Sequence, residues 1–162
     1  MTPNRWIDEA ETPLGRLGFE VSDAAVLRCW FADQPPTALN SRPATAPTAK
    51  AKAIAARLKT ELSEYFSCTR QAFSVPLAPQ GTPFQQAVWE TLQAIPYAHT
   101  ITYSAQAASL GRSRAVRAVA NANGANPLPV LIPCHRVVAK NGGLGGYGPG
   151  IDRKVWLLEH EQ

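Results

Sequence analysis

The chain has 162 residues, 45% of them hydrophobic, and a formal net charge of +4, so one or two compact domains with a buried core are expected. Its three cysteines, Cys29, Cys68 and Cys134, are far apart and form no CxxC pair, which argues against a disulfide framework or a zinc ribbon and indicates a reducing compartment. The polar, acidic N-terminus shows no signal peptide and no run approaches the roughly 20 apolar residues that span a bilayer, so we expect a cytoplasmic protein and no membrane partner.

The first half, residues 1–80, predicts a small domain of strands and one helix. Apolar residues in LGRLGFEVS and AVLRCWFAD, on either side of residues 22–24, predict a β-hairpin. The proline-rich QPPTALNSRPATAP predicts an irregular loop, and apolar residues at helical spacing predict a helix from Thr48 to about Phe66. QAFSVPLAPQG predicts a short strand, with Gly81 as the domain boundary.

The second half, residues 81–162, predicts a mainly helical domain. Thr82 can cap a helix with Pro83 at its first position, and Pro96 ends that helix. Together the two halves predict an α/β fold of the α+β type: a small N-terminal hairpin or sheet with a helix, then a mainly helical C-terminal domain with a helix-turn-helix.

The predicted helix-turn-helix begins with a short helix over about Tyr103 to Leu110 and a glycine turn at Gly111. Ser113 is expected to cap a second helix, from Arg114 to about Asn123. In this motif the second helix usually reads DNA, although a plain helical hairpin has the same pattern.

The predicted second helix carries mostly small side chains together with Arg114 and Arg117. No acid lies between Glu90 and Asp152, while five cations do: Arg112, Arg114, Arg117, Arg136 and Lys140. This charge pattern suits phosphate contacts, with a chance fluctuation as the alternative. Small side chains let the helix backbone approach its partner closely, which suits a minor groove or a tight protein contact. Arg117 could fill the gap left by an extruded nucleotide.

LIPCHRVVAK places Cys134 beside His135, behind Pro133. Strand neighbours point to opposite faces, so a direct dyad requires a corner at Pro133, and proton transfer through a water is the better interpretation. A nucleophilic thiol needs its pKa lowered from about 8.5 by a base or a positive charge, and Glu159 or Glu161 could orient the imidazole. A metal site lacks further ligands, and a buried structural cysteine is the alternative.

The glycine-rich NGGLGGYGPG, residues 141–150, predicts either a flexible surface turn or a lid over a flat ligand, with backbone N–H donors and Tyr147 as a stacking surface.

Four segments, in order and spacing, resemble the O6-alkylguanine-DNA alkyltransferases, also called methylated-DNA–protein-cysteine methyltransferases. They are GTPFQQAVWETLQAIPY from Gly81, RAVANANGANP from Arg117, IPCHRVV around Cys134, and GGYGPG with RKVWLLEHE, ending at Glu161. The likeness is dense over residues 81–162 and holds only in outline before them. It implies repair by direct reversal: O6-alkylguanine, and also O4-alkylthymine, is flipped out of duplex DNA and its alkyl group moves irreversibly to the protein, once per molecule.

The resemblance also implies roles for single residues. Cys134 would accept the alkyl group by in-line displacement, His135 would take the thiol proton through a water, and Glu161 would hold His135. Tyr103 would donate a hydrogen bond to the flipped base, and Arg117 would replace that base in the stack.

Further residues follow from the same resemblance. Asn126 would tie the recognition helix to the cysteine loop, and Val137 would offer its carbonyl to the exocyclic amine. The pocket would also include Pro129, Tyr147, Gly148 and, close by, Lys154; the DNA surface would include Ser113, Arg114, Ala118 and Ala120.

The expected partner is double-stranded DNA containing O6-alkylguanine, bound by a protein that is a monomer in solution and can assemble cooperatively on DNA. No cofactor is expected. No metal is expected either, because Cys29 and Cys68 lack the nearby histidine that zinc-binding relatives would need.

Two positions depart from the family pattern. Ala120 stands where glycine is usual, which adds a methyl group to the DNA-facing helix, and Gly148 stands where some relatives have serine.

Alternatives from other classes are a non-catalytic helix-turn-helix or lesion-binding protein, which would lack the acceptor cysteine, a helix-turn-helix regulator, and a cysteine hydrolase, which would need a remote histidine.

Overall fold

A computed structural model describes residues 4–37 and 46–162. The chain divides into two compact units, Met1–Pro79 and Gln80–Gln162. The predicted α+β class is confirmed, with strands concentrated in the first unit and helices in the second. Of the predicted proline-rich loop, residues 38–45 lie outside the described part of the chain.

The first unit contains an antiparallel sheet of three strands in the order β1 (Trp6–Thr12), β2 (Gly15–Val21) and β3 (Val26–Phe31). The predicted hairpin is confirmed as β2 and β3, whereas β1 has no counterpart among the predicted elements. The reason lies in its composition: WIDEAET carries three acids, which is typical of an edge strand that faces water.

Helix α1 (Ala49–Phe66) confirms the predicted helix, and Thr48 caps it by accepting the N–H of Ala51 at 3.1 Å. It packs against β1 and β2. Its buried face contributes to an apolar core that includes Leu17, Phe19, Val21, Leu58 and Leu62.

The strand predicted within residues 71–81 is wrong. The segment makes a single bridge, Val26 with Leu77, because Pro76 and Pro79 have no N–H to continue a ladder. Instead, the buried carboxylate of Glu61 holds the segment by accepting the N–H groups of Ser74 and Val75 at 2.8 and 3.1 Å. Burial alone would raise the pKa of Glu61, but these hydrogen bonds outweigh it and the pKa lies below its ordinary value.

The second unit is built from helices α2 (Pro83–Gln93), α3 (Tyr103–Ser109), α4 (Val116–Gly124) and α5 (Ile151–His160). Strands β4 (Ile101–Thr102) and β5 (Val137–Val138) pair in parallel. Thr82 caps α2 in a reciprocal capping box with Gln85, as the Thr-Pro start predicted. Trp89 of α2 is buried and donates its indole N–H to the carbonyl of Ala122 in α4 at 2.9 Å, which ties these two helices together.

The predicted helix-turn-helix is present as α3 and α4, with Gly111 at a φ of +68° in the turn. The prediction that Ser113 caps the second helix is wrong. Ala115 donates its N–H to the carbonyl of Arg112 at 2.8 Å, so residues 113 and 114 lie in a turn and α4 begins only after Ala115.

Candidate active site

Cys134 lies in a single 3-10 turn, Cys134–Arg136, that follows Pro133 and leads into β5. This is a corner rather than an extended strand, so the side chains of Cys134 and His135 are not forced to opposite faces. Cys134 as a whole residue is 8% exposed. Asn126, just after α4, donates its side-chain N–H to the sulfur at 3.2 Å and to the carbonyl of Ile132 at 2.8 Å, and thereby joins the end of α4 to the cysteine turn.

The expectation of a lowered thiol pKa is wrong for the free protein. Burial raises the pKa of Cys134 above its ordinary value, and the hydrogen bond from Asn126 and the positive charge of Lys154 only partly oppose it. The cysteine therefore rests as a thiol at neutral pH, and a base must remove its proton before sulfur can attack.

The candidate base is His135, which is fully buried. Its Nε2 lies 2.8 Å from an oxygen of Glu161, and Nδ1 has no hydrogen-bond partner among the described residues. Burial lowers the pKa of His135 although Glu161 opposes the shift, so the imidazole is neutral near pH 7. With the Nε2 proton donated to Glu161, Nδ1 carries the basic lone pair.

Arg136 was interpreted as one of the phosphate-binding cations, and that interpretation is wrong. The side chain is buried; its Nε and Nη2 donate to the two oxygens of Glu161 at 2.8 and 2.9 Å, and Nη1 donates to the carbonyl of Ile95 at 2.8 Å. A buried carboxylate needs a fixed cation, and the forked guanidinium supplies one. The sequence feature that could have indicated this role is that Arg136 directly follows His135.

A cavity of about 300 Å³ opens beside the thiol. Cys134 and Tyr103 line it, as do Tyr147 and Gly148 of the predicted pocket. The other lining residues are Ala120, Asn121, Asn123, Gly124 and Gly146, of which only Ala120 was a candidate, for the DNA surface. Four predicted pocket residues lie outside this lining: Asn126, Pro129, Val137 and Lys154.

The hydrogen bonds of Lys154, on α5, show why Lys154 and Val137 do not line the cavity. Lys154 is fully buried, and its Nζ donates to the carbonyl of Val137 at 2.6 Å and to that of Gly146 at 3.1 Å. Lys154 therefore connects β5 to the glycine-rich loop from behind the cavity wall. Burial lowers the pKa of Lys154 to about 8.

Tyr103, at the start of α3, lies against the same loop. Its hydroxyl donates to the carbonyl of Gly146 at 3.4 Å, and burial raises its pKa, so it remains a phenol that can donate a hydrogen bond. Gly145, at a φ of +73°, lies so close that an added Cβ would stand 2.6 Å from the ring, which requires glycine there.

The predicted DNA-contacting residues lie at the start of α4 and in the turn before it. Arg117 and Ala118 are exposed on α4, Ser113 and Arg114 are exposed in the turn, and Ala120 is half-buried at the cavity. The exposed Arg117 and the wall of the cavity beside the thiol thus belong to the same helix.

Neither a metal centre nor a membrane span is found in the described part of the chain. Its residues include no group of three or more His, Cys, Asp or Glu side chains placed to hold a metal ion. Within residues 4–37 and 46–162, no helix has the length and apolar character needed to cross a membrane.

Comparison with known proteins gives a consistent result. Residues 83–162 match the family described as 6-O-methylguanine DNA methyltransferase, DNA binding domain. The constitutive methylated-DNA–protein-cysteine methyltransferase of Bacillus subtilis is 40% identical over 94% of this chain and 93% of its own length. The Salmonella typhimurium protein named methylated-DNA–protein-cysteine methyltransferase is 48% identical over 64% of this chain and 61% of its own length.

Solved structures agree with the sequence matches. The Mycobacterium tuberculosis O6-methylguanine methyltransferase is 36% identical, with a TM-score of 0.83 over 97% of this chain and 92% of its own. A structure of Mycobacterium tuberculosis OGT in complex with DNA is 35% identical, with a TM-score of 0.81 over 97% of this chain and 91% of its own.

Proposed function

The chain belongs to the methylated-DNA–protein-cysteine methyltransferase family, and we propose that it repairs O6-alkylguanine in duplex DNA by direct reversal, with Cys134 as the alkyl acceptor. One observation carries the proposal: a cysteine thiol lines a cavity large enough for a flat base and is joined by Asn126 to the end of the helix-turn-helix. A non-catalytic lesion-binding protein is not favoured, since it would have no use for this thiol.

The proposed reaction is a single displacement. Sulfur of Cys134 attacks the alkyl carbon, the new S–C bond forms as the C–O6 bond breaks, and guanine leaves with the electron pair. The thiol proton passes through a water to Nδ1 of His135. The departing guanine anion takes a proton from solvent, and His135 then releases the thiol proton to solvent, so that the protons balance. Glu161, paired with Arg136, stabilises the histidine while it carries the proton.

The remaining roles concern the base itself. The phenol of Tyr103, which lines the cavity, would donate a hydrogen bond to the departing guanine and stabilise its negative charge. Tyr147 and Gly148 would wall the base. Asn126 would tie the recognition helix to the cysteine turn, and Lys154 would hold the glycine-rich loop. The carbonyl of Val137, which already accepts from Lys154, would accept from the exocyclic amine with its second lone pair. The action on O4-alkylthymine is part of the same proposal.

We assign residues 81–162 as the domain that binds DNA and accepts the alkyl group. Arg117 would occupy the space of the extruded nucleotide, while Ser113, Arg114, Ala118 and Ala120 would lie against the groove and its phosphates. Such contacts are indifferent to sequence, which suits lesions that arise anywhere in DNA. A monomer in solution, cooperative assembly on DNA and a cytoplasmic or nucleoid location complete the proposal.

A thioether has no simple route back to a thiol, so each protein molecule would act once. The test is to mix duplex DNA containing O6-methylguanine with the wild-type protein, with Cys134→Ser and with Cys68→Ser, and to measure the restored guanine. Cys68 is exposed and is therefore the matched control. We expect full repair by the wild type and Cys68→Ser and none by Cys134→Ser. Repair by Cys134→Ser would reject the assignment.

A further inference from the structure

Two buried amides to which the sequence assigned no role lie at the cavity wall. Gln106 of α3 and Asn123 of α4 bind each other reciprocally: Nε2 of Gln106 donates to Oδ1 of Asn123 at 2.9 Å, and Nδ2 of Asn123 donates to Oε1 of Gln106 at 2.7 Å. Their exposed fractions are 0% and 6%. Asn123 also lines the cavity beside Cys134, so this pair belongs both to the core and to the pocket wall.

The direction of this amide pair is fixed from a third residue, Thr91 of α2. The hydroxyl of Thr91 donates to the carbonyl of Val88 at 2.5 Å, so its oxygen is left to accept from Gln106, whose Nε2 lies 3.1 Å away. The nitrogen end of Gln106 must therefore face Thr91. Because the Gln106 amide cannot be reversed, the Asn123 amide cannot be reversed either.

The hydrogen atoms of the two amides are not all used within the pair. Both N–H groups of Gln106 have acceptors, one in Thr91 and one in Asn123. Only one of the two N–H groups of Asn123 has a partner within residues 4–37 and 46–162, namely Oε1 of Gln106. In an edge-to-edge amide pair the second N–H points away from the pair, and a buried donor of this kind is costly unless it meets an acceptor.

We propose that Asn123 donates this second N–H to a ring nitrogen of the bound alkylated purine, and that Gln106 and Thr91 are positioning residues that keep the donor pointed into the cavity. The inference rests on the proposed function. Alkylation at O6 removes the N1 proton of guanine, so N1, N3 and N7 of the flipped lesion base can all accept a hydrogen bond. A reversed Asn123 amide would present its oxygen to those acceptors and repel them.

The main test replaces both amides by apolar side chains of similar size, Gln106→Met with Asn123→Leu. Replacing both partners of a buried pair is close to neutral for folding, so the melting temperature should stay near that of the wild type. With the free O6-methylguanine base as substrate, we expect the half-saturating concentration to rise about 3–10-fold, the worth of one hydrogen bond, with the limiting rate unchanged. A folded double variant with a wild-type half-saturating concentration, or with a reduced limiting rate instead, overturns the inference.

If the double variant fails to fold, a second pair of variants tests whether Thr91 orients the amide pair. Thr91→Val removes the acceptor that orients Gln106, and Thr91→Ser keeps it. We expect weaker binding of the free base by the valine variant and wild-type binding by the serine variant; equal behaviour of the two rejects the positioning role. A wild-type protein that fails to take the methyl group onto Cys134 overturns the proposed function and this inference together, whereas wild-type transfer with unaffected variants overturns the inference alone.

Discussion

Arg136 binds both carboxylate oxygens of Glu161, at 2.8 and 2.9 Å, and one of these oxygens also accepts from His135 at 2.8 Å. The guanidinium thus neutralises the buried carboxylate, and its positive charge, together with burial, favours a neutral imidazole, the form that the proposed reaction requires. The pairing also joins the cysteine turn to the end of α5.

Arg136→Met should destabilise the protein strongly, because it leaves the Glu161 carboxylate buried without its cation. We expect the free energy of unfolding to fall by about 3–5 kcal/mol. Urea denaturation followed by circular dichroism measures it, and Arg114→Met, at an exposed arginine, is the matched control. A loss no larger than that of the control would show that the buried pair does not stabilise the fold.

Glu161→Gln should slow alkyl transfer while preserving the shape of the side chain. A neutral amide cannot stabilise a protonated His135, so the rate should fall by about 10²–10⁴-fold, the usual contribution of a general base. Single-turnover kinetics on an O6-methylguanine duplex provide the measurement. The exposed neighbour Glu159→Gln should react at the wild-type rate. Equal rates for the two variants would remove Glu161 from the reaction.

The pH dependence follows from two opposite shifts. Burial lowers the pKa of His135 below its ordinary 6.5, and burial raises the pKa of the Cys134 thiol. A protonated imidazole cannot accept a proton, so the rate falls as the pH drops through the lowered pKa. We therefore expect a rate that is level above pH 6.5 and declines only below it.

Single-turnover rates on the free base, which leave DNA binding out, measure this profile. In His135→Gln the level region should disappear. A wild-type rate that instead rises in proportion to hydroxide above neutral pH would indicate that the thiol ionises without His135.

Arg117→Ala should impair reaction with duplex DNA far more than reaction with the free base. Arg117 is exposed on α4, whose Ala120 lines the cavity, and extruding a base costs a few kcal/mol. We expect a loss of about 10–100-fold on duplexes and little change on the free base. Arg114→Ala should instead weaken duplex binding and reduce its salt dependence, as the loss of a phosphate contact does. Equal losses of Arg117→Ala on both substrates would reject its role in the stack.

Local sequence patterns predicted the elements that carry their own signals. Thr82 followed by Pro83 marked the start of α2, and the turn at Gly111 separated α3 from α4. Local patterns failed to predict strands whose formation depends on the neighbouring segment with which they pair. β1 is an acidic edge strand that pairs with β2, and Pro76 and Pro79, on either side of Leu77, lack the N–H groups that a longer strand requires.

The site shows the same division. The residues alone offered Glu159 or Glu161 as the partner of His135, and the family resemblance named Glu161. The structure brings His135 and Glu161 together from positions 26 residues apart. The sequence could not show that Arg136 turns inward, since a buried and an exposed arginine look alike in a charge pattern. The pairing of Gln106 with Asn123 depends on the packing of α3 against α4, which no short motif encodes.

The most direct test of the proposed repair reaction is to identify which atom of the protein receives the alkyl group, and how often. An excess of duplex DNA carrying O6-methylguanine with an isotopically labelled methyl group is mixed with the wild-type protein, which is then digested and analysed by mass spectrometry. We predict one label per protein molecule, as a thioether on the peptide containing Cys134, and no further reaction. Label on another residue, or continued loss of methyl groups from DNA after one equivalent, would contradict the proposal.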